Sequence, residues 1–186
     1  WVGMRNFDKL FAGSQFAKVL ANTLIINGYK IAFLFPLPIV CAILLNEVRR
    51  KAYKRLLQTS IYIPYFFSWV IVFGIFYSLL GSYGIVNGAI SALGLERVRF
   101  FTDQGIFRGL LVFTEGWKEI GYNTVIYLAA ITAIDIGLYE AARIDGAGKW
   151  RQIWHVTLPG LTPTIVLMLI LKVGYILDTG FEQVLV

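Results

Sequence analysis

Glu115, Glu119, Asn123 and Tyr127 recur at intervals of four. On a helix that spacing lines them up along one face. Two carboxylates, an amide and a phenol in one stripe can hydrogen-bond a ligand rich in hydroxyl groups. Trp117, Tyr122 and Tyr175, near the stripe or downstream of it, offer aromatic faces of the kind that suits the C–H side of a sugar ring. Lys172, deep in a later apolar run, is placed to pair with Glu119. The same residues have an architectural reading, a Glu–Lys pair at an outer membrane interface with a belt of aromatics. Glu115 and Glu119 do not read as the acid and base of glycoside hydrolysis, which needs a dedicated cleft that nothing else in the chain points to.

A second constellation is EAARIDGAGKWRQIWHVTLPG, residues 140–160, a polar stretch between two apolar runs. Asp135 can cap a helix starting near Ile136. Asp145-Gly146 is a turn or helix-stop signal, and a second short helical piece, about Gly148 to His155, follows. Ala141, Ala142, Gly146, Ala147 and Gly148 are small enough to let another surface come close, and charges at the rim would orient a partner. The plain alternative is a solvated loop with helical ends. His155 is the only histidine, so a histidine-based metal site or triad is unsupported; we assign no catalytic residue and no metal ligand. No glycine-rich loop ending in Lys-Ser or Lys-Thr occurs, so nucleotide hydrolysis by the chain itself is not expected.

The elements that must carry these residues are membrane helices. Of 186 residues, 58% are hydrophobic and only 15% charged, and the mean hydropathy is +0.69. A soluble domain of this size cannot hide that much apolar surface. Spans of about 20 apolar residues fall at 21–45, 58–80, 107–134 and 160–177. The first holds Lys30, Pro36 and Pro38, whose rings kink a helix inside a bundle. The last starts at Pro159 or Pro163, with Thr162-Pro163 a good cap and first-turn pair. Between the second and third, SYGIVNGAISALGLE reads as a short interfacial or re-entrant helix. The net charge of +6 is no sign of nucleic acid, because five of the 17 basic residues crowd into Arg49–Arg55 between apolar runs. That is the positive-inside pattern. It places 46–57 and 136–158 in the cytoplasm, and both chain ends outside. Cys41, the single cysteine, lies in an apolar run and excludes an internal disulfide. The expected architecture is all-α: one polytopic transmembrane bundle, residues 1–186.

The 140–160 segment resembles the Glu-Ala-Ala loop in the transmembrane subunits of ABC importers. Glu140, Ala141, Ala142, Gly146, Leu158 and Pro159 match at the family's spacing, and Val156 stands where the family has Ile. YNTVIYLAAI, GYILDTGFEQVLV and the opening WVGMRNFDKLF extend the likeness, over the whole chain, to carbohydrate-importer permeases of the complex-oligosaccharide branch. The resemblance implies a coupling helix docked in a cleft of a separate ATPase, which uses the ATP and Mg while this chain binds no cofactor directly. It also implies a second permease subunit, usually a different one, an extracytoplasmic sugar-binding protein, and a bacterial inner membrane. Family members usually have six spans, so the second to the fifth are expected here. An ion-coupled transporter or channel, and a membrane enzyme acting on glycans or lipids through Glu115 and Glu119, remain as other readings.

Overall fold

A computed structural model describes residues 3–5, 11, 14–176 and 183; the end of the fourth expected span at 177, and Asp178, lie outside them. The first span is one continuous helical rod, Phe16–Glu47. It comprises α1 (Ser14–Tyr29), a widened π turn (Lys30–Leu34) and α2 (Pro36–Glu47). Pro36 lacks an N–H, and its ring excludes the ordinary hydrogen bond to the turn before it. The π turn absorbs that defect, so the chain stays helical.

The second expected span is not one helix. After an extended link with Arg50 at ψ 110°, α3 runs Lys51–Tyr62. The basic stretch is thus largely helix rather than loop. Pro64 then sits in a 3-10 turn, Ile63–Phe66, and Phe67 is extended at ψ 137°. Ser68 caps α4 (Trp69–Leu80) by accepting from the Ile71 N–H at 3.4 Å. The apolar length needed for a span covers Trp69–Ala92, later than the expected 58–80. Its second half is the short helix α5, Ile85–Ala92, across a break at 81–84. Buried Asn87 holds that break, donating to Gly81 O and Val98 O and accepting from the Val98 N–H.

The long helix α6, Gln104–Thr132, is capped by Asp103, which accepts from the Gly105 N–H at 2.8 Å. At its far end the chain turns by 67° into α7, Ile136–Ile144. Asp135 caps α7 at Gly137 N, 2.9 Å, as its position in the sequence suggests. Gly146 turns the chain with φ +75°, a region open to glycine at little cost. From Lys149 the chain is helical without interruption to Gly174: α8 (Lys149–Gln152), a second π turn (Ile153–Thr157) and α9 (Leu158–Gly174). Thr162-Pro163 is therefore not a helix start. Thr162 Oγ1 donates back to Leu158 O at 3.2 Å, and Pro163 lies inside α9. The second piece of the 136–158 segment is the root of the last span rather than a separate element. Both π turns end two residues before a proline, Leu34 before Pro36 and Thr157 before Pro159.

Ile39 and Ala42 of α2, Tyr127, Leu128 and Ile131 of α6, and Leu161 of α9 form the buried core. Phe33, Leu44, Phe66 and Ile170 point outward, as helices solvated by lipid require. Glycine brings α3 against α6: a Cβ at Gly121 would overlap the Ile61 carbonyl and stand 3.0 Å from Tyr62 Cα. Gly121→Ala should therefore destabilise the protein by about 1–3 kcal/mol. Gly109→Ala, on the same helix with open space around it, should be neutral or slightly stabilising. Thermal unfolding of both variants in detergent checks this.

Candidate functional site

Glu115 is the centre of a buried ion cluster. It is 3% exposed, and Lys30, 1% exposed, pairs with it from the π turn of the first span. Lys172 of α9 reaches its Oε1 at 3.0 Å. Lys30 also donates to Gln183 Oε1 at 3.3 Å, and Gln183 Nε2 donates to Thr114 Oγ1 at 2.8 Å. One carboxylate thus joins three separate stretches of chain. The expected Lys172–Glu119 pair does not form. Glu115 is the more deeply buried of the two acids, and a carboxylate removed from water needs opposite charge in contact. Two lysines on one carboxylate leave an excess positive charge, which Glu119, one turn along α6, faces.

A cleft opens beside the cluster. Glu115, Glu119, Asn123 and Tyr127 all line it, and α9 contributes Lys172 and Met168. The apolar remainder comes from the first span around Phe35 and Pro38. Tyr127 is 1% exposed, and its hydroxyl has no hydrogen-bond partner among the described residues. A buried hydroxyl left unpaired is a standing cost, one that a ligand hydroxyl or a water would remove.

Two aromatics expected to serve the pathway beside this stripe lie away from the cleft. Trp117 is on the opposite side of α6, packed edge-on to Phe76 with ring centroids 5.4 Å apart and tilted against Phe67. Two residues along a helix is about 200° around it, so Trp117 cannot share a face with Glu115 and Glu119. Tyr175 follows the end of α9, is largely exposed, and does not line the cleft. Tyr122 stacks on Tyr65 at 4.4 Å, bracing α6 against the 3-10 turn. Lys118 joins this brace, donating to Tyr65 O at 3.2 Å and lying over the Trp69 ring.

At the other end of α6 stands the knob made by α7 and α8. Glu140 and Ala141 are exposed on it, Ala142 half-buried, and Gly146 forms its turn. Val156 lies in the second π turn, while Leu158 and Pro159 open α9. The knob also displays Ile136, Ile144 and Trp150, at 72%, 87% and 76% exposure. Sequence reasoning missed this apolar surface because in a chain so rich in apolar residues these three carry no signal of their own. Among the described residues no three of His, Cys, Asp and Glu gather as metal ligands.

Residues 35–181 match the family described as binding-protein-dependent transport system inner membrane component. The chain belongs to this family. It is 48% identical over 185 residues to the polygalacturonan/rhamnogalacturonan transport system permease protein YteP of Bacillus subtilis, covering 99% of this chain and 58% of that one. Protein LplB of the same organism is 44% identical over the same shares. A chain in the crystal structure of a bacterial ABC transporter that imports the acidic polysaccharide alginate superposes with a TM-score of 0.93 at 43% identity, covering 98% of this chain and 64% of that chain. This transport-family chain therefore spans about three fifths of the length of the curated relatives it matches.

Glu115→Gln removes the charge that two lysines share, and should cost about 3–5 kcal/mol by leaving buried Lys30 uncompensated. Lys30→Met in the same chain should recover part of the loss. Lys172→Met alone should cost less, because that side chain is 28% exposed. Unfolding midpoints of the three variants in detergent test the order.

Proposed function

We propose that the chain forms the translocation pathway in the membrane-spanning subunit of an ATP-driven oligosaccharide importer. The observation that carries this is the continuity of α6. One helix bears the polar stripe of the cleft and leads at its end, through a 67° bend, into the exposed knob. A push on the knob is thereby delivered to the helix that lines the cleft. On this reading, Glu140, Ala141, Ala142 and Gly146 present the docking face, and Val156, Leu158 and Pro159 join it to the last span. A separate pair of ATPase subunits engages the knob and uses ATP and Mg; this chain binds neither. A second permease subunit, an extracytoplasmic binding protein and a bacterial inner membrane complete the assembly.

The cleft suits a saccharide: Glu119, Asn123 and the unpaired Tyr127 hydroxyl address hydroxyl groups. Lys172, only partly buried beside Glu115, can meet a carboxylate. Uronate-containing oligosaccharides are therefore the first substrates to test, in keeping with the polygalacturonan/rhamnogalacturonan and alginate named for its relatives.

The test is uptake by proteoliposomes holding the full complex. Gly146→Asp adds a side chain at a left-handed backbone position, at about 1 kcal/mol or less because Asp is among the residues that tolerate it, and puts a charge on the docking face. It should abolish ATP-driven uptake while membrane insertion persists. Asn123→Ala and Tyr127→Phe should lower uptake roughly ten-fold, the loss of about one hydrogen bond each, with ATPase assembly intact. Uptake that proceeds without an ATPase, driven by an ion gradient, would favour the secondary-transporter reading instead.

A further inference from the structure

The first and last spans touch at three levels. Near one end, Lys30 and Lys172 meet on Glu115. In the middle, Ile39 and Ala42 share a core with Leu161. At the knob end, Lys149 Nζ contacts Glu47 Oε2 at 2.6 Å. The first two levels are buried apart from Lys172, which is partly exposed. The third is not: its side chains are 54% and 38% exposed.

Glu47 is the last residue of α2, and Lys149 is the first of α8. The knob itself is tied together from within. Tyr139 of α7 bonds Thr157 of the second π turn at 2.9 Å, and Gln152, 5% exposed, donates to Ala147 O at 2.8 Å. A force on α7 therefore moves α8, and Lys149 with it. Among the described residues, Glu47 is the only acidic side chain lining the hollow between the knob and α2, where Arg143 and Lys149 both stand.

From this geometry we infer that Glu47 and Lys149 form a releasable latch that couples the knob to the first span. Along that span, about 25 Å away at 1.5 Å per residue, Lys30 enters the ion cluster beside the cleft. Burial makes the other two contacts costly to break on every cycle, whereas an exposed pair is made and broken cheaply. The buried levels hold the two spans together while the exposed one changes state. Glu47 and Lys149 are positioning residues: they touch no substrate and act through the first span. The inference rests on the importer reading given above.

The experiment is a charge swap in the full complex, reading sugar taken up per ATP hydrolysed. Glu47→Lys and Lys149→Glu should each lower that ratio at least five-fold, with complex recovered from membranes in normal amount. The double variant E47K/K149E should return it to within two-fold of the starting protein. Single reversals that leave the ratio unchanged, or a double variant no better than the singles, overturn the latch while leaving the importer reading intact. If a single variant fails to assemble, Glu47→Gln, which keeps the shape, should still lower the ratio, and an unchanged ratio there overturns the latch as well. Absence of ATP-coupled uptake by the unmodified complex overturns the importer reading and the latch with it.

Discussion

Glu115 is buried, and the helices around it supply the two lysines that a buried carboxyl group needs as partners. Lys30 comes from the first span and Lys172 from the last, so the carboxylate fixes the depth of both against α6. Neither lysine is tolerable alone in an apolar bundle, and neither is the carboxylate. Each is present because the others are. The cleft inherits its shape from this arrangement. Glu119, Asn123 and Tyr127 follow Glu115 along the same face of α6, so whatever sets the depth of Glu115 also sets theirs.

Two π turns make the arrangement possible. Each lets a helix pass a proline without breaking, and each belongs to a span that sends a lysine to Glu115. The first of them carries Lys30 itself, so the widened turn helps set where that lysine points. Pro64 has no such turn before it, and there the chain does break, into a 3-10 turn and an extended residue. Glycines complete the packing where helices come closest, Gly121 against the Ile61 carbonyl and Gly160 against the Ile134 side chain.

The knob differs from the cluster in kind. Its turn depends on Gly146, a backbone requirement more than a side-chain one. Ile136, Ile144 and Trp150 stand exposed on it, and exposed apolar side chains are among the features of protein–protein contact surfaces. The cluster holds helices together, and the knob presents a face.

Much of this was legible in the residues. Apolar length set the class, because solvation by lipid depends on composition and hardly on packing. Periodicity placed Glu119, Asn123 and Tyr127 on one face, and Asp135 and Gly146 marked the ends of α7, because these are local rules of the backbone. Tertiary structure decided the rest. Pairing Lys172 with Glu115 instead of Glu119, burying Lys30, and turning Trp117 away depend on how deeply each helix sits against its neighbours. Whether Pro36, Pro64 and Pro163 bend, break or merely interrupt a helix depends on whether nearby turns can widen. Those outcomes follow from contacts between residues far apart in the chain, and spacing along the chain alone carries no record of them.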